Sequence, residues 1–334
     1  MTAARCGADL AGRLHEAAAA LGGCATTDAP LAPMTTYRVG GPAAVLASPR
    51  TMADLMLVGD VVTRLDLPVA VIGRGSNLLV ADAGFCGVAV TLGEMAGECD
   101  RIAVGEPAGD CAEVRAGGAV ALPVLARRTV AAGLAGFEWA VGVPGSVGGA
   151  VRMNAGGHGS DMAASLRSAS IVDLRRGVAA EVPAGRLGLR FRGSDLADHQ
   201  VVVAATLRLD HDPSADGDAG ERALAEIVRW RREHQPGGQN AGSVFVNPRP
   251  GELAAAQLID ACGLRGRRIG GAQVSDKHAN FIQASESATA ADVRSLMELV
   301  RDAVLDRSGH LLRSEIRLLG FDEVSDEQPV GVAL

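Results

Sequence analysis

The chain of 334 residues is poor in aromatic rings: two Trp, one Tyr and six Phe make nine. So few flat side chains argue against a groove that stacks single-stranded bases. A net positive charge is missing as well. Acidic residues number 39 against 32 basic ones, for a formal charge of −7, which excludes a general nucleic-acid binder. Only one of the basic residues, Lys277, is a lysine. Six cysteines are present, but no pair has C-x-x-C spacing, so zinc and dithiol-oxidoreductase chemistry lack support and no metal is expected. A chain this long needs no disulfides, and a reducing, cytoplasmic setting is the expectation. Asp9, Arg13, His15 and Glu16 interrupt any secretory leader. The longest charge-free stretch near the middle, Trp139 to Val151, contains Pro144 and is too short to span a bilayer, so no membrane partner is expected.

Glycine is abundant instead, with 43 Gly beside 14 Pro, while an apolar content of 48% excludes disorder as the reason. The length suits two or three domains. A helix is expected from Asp9 to Leu21. A second, opened by a Thr51–Asp54 capping box, should run to about Thr63. Short strands are expected at Val69–Ile72, Leu78–Val80 and Val88–Leu92. A second block follows, with a strand at Ala112–Ala116, a helix at Ala121–Ala132, and strands at Ser168–Asp173 and Val201–Leu209, the last alternating as a half-buried strand does. Asp212 to Gly220 has linker composition. Helices over Glu221–His234 and Glu252–Ala261 come next, then two strands flanking Lys277-His278. A long helix opened by Thr289 and Asp292 ends near Gly309, and a final strand is expected over Leu312–Leu319.

Two glycine-rich segments carry chemistry. Gly73-Arg74-Gly75-Ser76-Asn77 lacks the third glycine of a dinucleotide fingerprint and is followed by a strand, and no Walker lysine exists. A hairpin turn and an anion-binding nest of N–H groups both remain open for it. The second runs through Pro144-Gly145-Ser146-Val147-Gly148-Gly149 to Asn154-Ala155-Gly156-Gly157-His158. Its G-S-x-G spacing is not a nucleophile elbow. Missing Cβ atoms let main chain lie against a flat or polyanionic ligand, so two such loops favour a large nucleotide. Asn240-Ala241-Gly242-Ser243 holds a serine able to donate a proton. Glu315 lies between Arg313 and Arg317, and His234 ends a helix as a phosphate contact or a capping cation. These residues imply a nucleotide-cofactor enzyme with an anionic substrate, and no more.

Six blocks in order, over residues 34–321, carry a resemblance. They are Thr36 to Gly41, Gly73 to Val80 with Asp82-x-Gly84-Phe85-x-Gly87, Val143 to Gly156, Gln235-Pro236 through Asn247-Pro248, Leu258 to Phe281, and Glu315-Ile316-Arg317 before Gly320. The chain resembles the UDP-N-acetylenolpyruvoylglucosamine reductase (UDP-N-acetylmuramate dehydrogenase) family, in its shorter subtype without the extra substrate loop. The resemblance implies an α+β fold of the vanillyl-alcohol-oxidase/PCMH type. Its FAD-binding subdomains would be 1–93 and 94–235 (FAD region about 38–211), with a substrate-binding domain over 236–318 and residues 319–334 packing back on the first unit. It implies non-covalent FAD, NADPH as hydride donor, a UDP-N-acetylglucosamine enolpyruvate substrate and no obligate protein partner, in peptidoglycan precursor synthesis. By resemblance the catalytic roles fall to Arg192, Glu315 and Ser243. FAD contacts would come from Tyr37, Arg38, Gly40, Gly73, Gly75, Ser76, Asn77, Leu78, Pro144, Gly145, Ser146, Gly148, Gly149, Asn154, Ala155, Gly156, Arg231 and Arg317. Substrate contacts would come from His158, His234, Asn247, Lys277 and His278. Three positions depart from the family: Phe191 stands for a tyrosine, His234 for a lysine and His158 for a tyrosine. Another flavoprotein of the same fold, or a non-catalytic nucleotide-sugar sensor, are the alternatives to the reductase.

Overall fold

The computed structural model describes residues 6–95, 97, 99–211, 218–321 and 331–334. Most of the expected Asp212–Gly220 linker lies outside the described residues.

The first unit begins with helix α1 (Ala8–Leu21), whose buried face is Leu14, Ala17 and Leu21. Strands β1 (Ala25–Pro30) and β2 (Pro42–Ala47) follow, then α2 (Met52–Arg64), β3 (Val69–Val71), β4 (Leu78–Val80) and β5 (Phe85–Val90). The capping box is present: Thr51 Oγ1 accepts from the Asp54 amide and the Asp54 carboxylate accepts from Thr51 N–H. The sheet order is β1-β2-β5-β3, with β2 and β3 both parallel to β5. Parallel pairing needs crossovers, and α2 with its flanking loop supplies one of them. Composition gave no hint of β1 or β2.

Strand β4 lies outside this sheet and pairs instead with the C-terminal strand. Next to it, Gly84 has φ of 81°, and a Cβ there would lie 2.0 Å from Pro42 O, which accounts for a glycine in this block.

The second unit contains β6 (Ile102–Val104), β7 (Cys111–Gly117), α3 (Leu122–Ala131), β8 (Leu134–Ala135), α4 (Val147–Met153), β9 (Gly156–Gly157), β10 (Ser160–Asp161), α5 (Met162–Ser165), β11 (Leu166–Asp173), β12 (Val178–Pro183) and β13 (Gln200–His211). An antiparallel sheet runs β12-β11-β13-β7-β6, with β8 added on β13. Strand β13 departs from the expected alternation. Residues 200–205 are buried without a break, because Val201 and Val203 pack into the first unit's core while Val202 and Ala205 pack into the second. Helix α6 (Ala219–His234) closes this unit against the segment around Trp139.

The C-terminal unit has α7 (Ala255–Ala261), the small sheet β14 (Arg268–Ile269), β15 (Ala272–Val274) and β16 (Ile282–Ala284), the long α8 (Ala290–Ser308), and β17 (Arg317–Leu319). Its core also takes Tyr37, Val39 and Leu79 from the first unit. The expected strand over 312–319 is shorter, three residues parallel to β4. Of residues 319–334, Leu319 and Gly320 lie against the first unit as expected, whereas residues 331–334 do not. Val332 packs into the second core and exchanges hydrogen bonds with the Gln200 side chain.

Two further findings tie the units together. Cys6 and Cys86 form a disulfide joining the start of α1 to β5, correcting the expectation of free thiols, because folding brings residues 80 apart in sequence side by side. The Asp82 carboxylate accepts from the N–H groups of Ala290 and Ala291 at 2.8 and 2.9 Å, capping the first turn of α8 from another unit. Asp82→Ala should cost about 1–2 kcal/mol in chemical denaturation, the scale of a lost helix cap with its dipole contact. Unchanged stability would refute this role.

Candidate active site

The three units enclose a cavity of about 880 Å³, near the upper end of the range for small-molecule sites, roughly 300–1,000 Å³. Its walls bring together both glycine segments, Arg192, Ser243 and Glu315.

Because β3 and β4 belong to different sheets, Gly73–Asn77 is a crossing between sheets and the hairpin alternative is excluded. Gly75 has φ of 58°, and a Cβ would lie 2.1 Å from Met34 O, so close approach to the 34–36 segment requires glycine. Gly75 O accepts from Thr36 N–H at 3.1 Å. Among the described residues the N–H groups of Gly73 through Asn77 have no protein acceptor, and all five residues line the cavity. Such a run of donors suits an anionic ligand.

The second glycine segment is partly helical, which the sequence pattern hid. Ser146 caps α4 by accepting from Gly149 N–H at 3.4 Å, and Asn154 ends the helix in the left-handed conformation, with φ of 39°. Gly148 serves packing: a Cβ would lie 3.0 Å from Val202 O. The two segments touch, since a Cβ on Gly73 would come within 2.7 Å of Ser146 Oγ.

Glu315 joins three distant stretches. Its N–H donates to Val244 O at 2.8 Å, and its own carbonyl accepts from Asn77 Nδ2 at 2.9 Å. Asn280 clamps the opposite side, accepting from Phe245 N–H at 3.0 Å and donating to Phe245 O at 2.8 Å. Ser243 thereby sits one residue from the segment bonded to Glu315. The Glu315 carboxylate pairs with Arg192 Nε at 3.0 Å, both side chains being mostly buried. Burial pushes the Glu315 carboxyl up to about 7 against the opposing pull of Arg192 and Arg313. Arg192 is held in the left-handed region, φ 58°, inside the tight turn Arg190–Gly193. That strain, of order 1–3 kcal/mol, is typical of functional positions. Phe191 stacks under the Arg192 guanidinium at 5.0 Å.

Of the expected cofactor contacts, Leu78, Pro144, Gly145, Ser146, Gly148, Gly149, Ala155, Gly156, Arg231 and Arg317 also line the cavity. Tyr37, Arg38, Gly40 and Asn154 do not. Tyr37 is fully buried in the third core, its hydroxyl lacking a hydrogen-bond partner among the described residues and its acidity suppressed by burial. Gly40 packs on β4, where a Cβ would lie 2.4 Å from Val80 O. Asn154 donates to Arg190 O and Asp161 and accepts from Ala163 N–H, so it braces the Arg192 turn.

Among the expected substrate contacts only His158 reaches the cavity. His234 stacks on Trp230 at 4.6 Å and bonds its backbone carbonyl, and His158 meets the same indole edge-on at 5.0 Å. Asn247 accepts from Ala255 N–H beside the start of α7, Lys277 donates to Arg232 O at the end of α6, and His278 packs on Phe281. Among the cavity residues that were missed are Arg152, Asp198, Gln200 and Trp230. Asp198 bridges Arg152 and Arg317 at 2.5 and 3.0 Å, and burial pulls the Arg152 guanidinium down to about 10. Arg152 lies inside a quoted block, but nothing in the sequence pattern ties it to Asp198.

Residues 42–182 match the family described as FAD binding domain, and residues 234–319 match UDP-N-acetylenolpyruvoylglucosamine reductase, C-terminal domain. The chain is 42% identical over 293 residues to the UDP-N-acetylenolpyruvoylglucosamine reductase of Heliobacterium modesticaldum, spanning 87% of this chain and 89% of that one. The chain belongs to the UDP-N-acetylenolpyruvoylglucosamine reductase family. A reductase of this name from Paramagnetospirillum magneticum is 43% identical over 88% of this chain and 91% of its own. The crystal structure of the Thermus caldophilus reductase superposes with a TM-score of 0.71 at 32% identity, covering 88% of this chain and 98% of that one. The reductase family's FAD-binding fold therefore holds here, α+β with a separate C-terminal domain. The cavity fits FAD: unpaired N–H donors at Gly73–Asn77 suit its pyrophosphate, and the glycine walls leave room for a planar ring.

The folded-state pKa of Glu315 exceeds its ordinary 4.5. Above pH 4.5 the unfolded chain ionises first, so stability falls as pH rises from about 4.5 through 7, by up to about 3 kcal/mol. Glu315→Gln should flatten that fall in urea melts at pH 5 and 8; an identical slope in wild type and variant would rule out the raised pKa.

Proposed function

We propose that this chain reduces the enolpyruvyl group of UDP-N-acetylglucosamine enolpyruvate, with NADPH as the source of reducing equivalents, in peptidoglycan precursor synthesis. The observation that carries it is the convergence of Arg192, Glu315 and Ser243 on one wall of a cavity lined by both glycine segments. FAD, when bound, supplies the chemistry of taking hydride from NADPH and returning it to the enolpyruvyl double bond. Residues Gly73–Asn77 and 144–149 would hold it, with Arg231 and Arg317 as cations on the cavity wall. Reduction at C3 of the enolpyruvyl group builds negative charge at C2 and its carboxylate. Arg192 is placed to bind that charge, and Glu315, with its carboxyl pushed up to about 7, to donate a hydrogen bond to it in its protonated form. Ser243 Oγ delivers the proton to C2. The Arg152–Asp198–Arg317 cluster leaves one net positive charge on the same wall.

His158 at the rim stands where a tyrosine is expected, and burial together with Arg231 keeps it below its ordinary pKa. The residue divisions near 93 and 235, a cytoplasmic location and the absence of an obligate protein partner are part of the same proposal. Among the described residues no helix is long and apolar enough to cross a membrane.

The purified protein should show a flavin spectrum and oxidise NADPH in a manner dependent on the UDP-enolpyruvyl sugar. Failure to reconstitute with FAD would sink the proposal, and flavin bleaching without sugar-dependent turnover would favour another flavoprotein activity. Ser243→Ala should leave flavin reduction by NADPH near normal while reoxidation by the sugar slows ~10²-fold or more. Equal slowing of both half-reactions would contradict the proton-donor role.

A further inference from the structure

Residues 331–334 do not line the cavity, yet they bond to a stretch that does. Val332 is buried in the second core, and Leu334 packs against the same core. Arg186 Nη2 donates to Ala333 O at 2.9 Å. The Gln200 side chain takes both backbone polar groups of Val332. Its Oε1 accepts from Val332 N–H at 2.8 Å, and its Nε2 donates to Val332 O at 2.6 Å. Oε1 also accepts from Ala197 N–H, and Nε2 also donates to the Asp173 carboxylate. Every donor and acceptor of this buried amide is therefore used, half of them by the tail. Gly331 N–H donates to Asp195 O at 3.1 Å. Its φ is 92°, and a Cβ would stand 3.4 Å from Ala197 Cβ, so this close, left-handed contact favours glycine.

The tail thus holds both ends of Asp195–Gln200. Between them Asp198 pairs with Arg152 and Arg317 in the cavity wall, and Arg152 Nη1 donates to Leu196 O and Ala197 O at 2.7 Å. Asp195 also supports the Arg192 turn. Its N–H donates to Leu187 O at 2.9 Å, and its carboxylate holds Arg190 at 2.7 Å. The left-handed backbone of Arg192 persists only where surrounding contacts over-determine it. The bonds from Gly331 and Val332 reach that turn through Asp195 and Gln200.

We propose that residues 331–334 are a positioning strap for the reaction site. By fixing Asp195 and Gln200 they set where Arg192 and the Arg152–Asp198–Arg317 cluster stand against an anionic substrate. With the strap released, these side chains remain but lose their placement. A shift of about 1 Å, even one caused far from the chemistry, can cost roughly a hundredfold in rate.

The test uses full-length, FAD-loaded protein. Val332→Asp places a carboxylate in the second core, and Gly331→Pro removes the N–H that Asp195 O accepts. In either variant, hydrogen exchange should speed about tenfold or more at the amides of Asp195, Ala197 and Gln200 and stay unchanged in α8. Flavin reduction by NADPH should remain near normal while reoxidation by the sugar slows about tenfold or more. Val332→Ile, which keeps an apolar side chain in the core, should match wild type in both measurements. If Val332→Asp fails to hold flavin, Gly331→Pro, which leaves that core's side chains intact, decides with the same expected direction. Wild-type exchange at the three amides would overturn the strap, as would normal reoxidation by the sugar. Equal slowing of both half-reactions would overturn it too, since general loss of stability does not single out one step. The kinetic measurement rests on the reductase reading of the site. If wild type shows no sugar-dependent turnover, that reading fails and the exchange measurement alone decides the strap.

Discussion

Glu315 reaches its working position through backbone hydrogen bonds to two segments that have nothing in common in sequence. The Asn77 side chain holds its carbonyl, Val244 O takes its N–H, and Arg192 pairs with its carboxylate. Each bond comes from a different unit of the fold, so the site exists only when all three have assembled. The cost of burying a carboxylate is met in part by Arg192 and in part by retaining the proton, which is why its pKa rises although a cation lies 3.0 Å away. A carboxyl raised to about 7 beside an arginine holds its proton part of the time near neutral pH.

The glycines divide between two physical purposes. At Gly84, Gly40 and Gly148 a Cβ would strike backbone, so these residues let segments distant in sequence but within one unit lie together. Gly157, by contrast, lines the cavity with nothing within 4 Å of its would-be Cβ, leaving open surface toward a ligand. Gly75 serves both, needing a left-handed backbone for its contact with Met34 while its N–H stays unpaired.

Several residues that resemblance assigned to ligands also hold the walls. Lys277 tethers the end of α6, the helix that carries Trp230 and Arg231 to the cavity. Asn154 braces the Arg192 turn and Asn247 accepts beside α7. Each of these side chains bonds at least one backbone group, which uses part of its hydrogen-bonding capacity within the protein.

Much was legible locally. The capping boxes at Thr51 and Thr289 and the long α8 with its Gly309 terminus are written in short spacings, because helix caps are set by neighbours within a few residues. What the sequence left open was every choice made between distant segments. Whether Gly73–Asn77 was a hairpin, which carboxylate met which arginine, that Cys6 meets Cys86, and that β13 is buried on both faces all depend on pairings across tens to hundreds of residues. Charge and apolar pattern specify that such groups need partners. Only the packed fold, by placing β4 beside β17 and three units around one cavity, decided which partners they found.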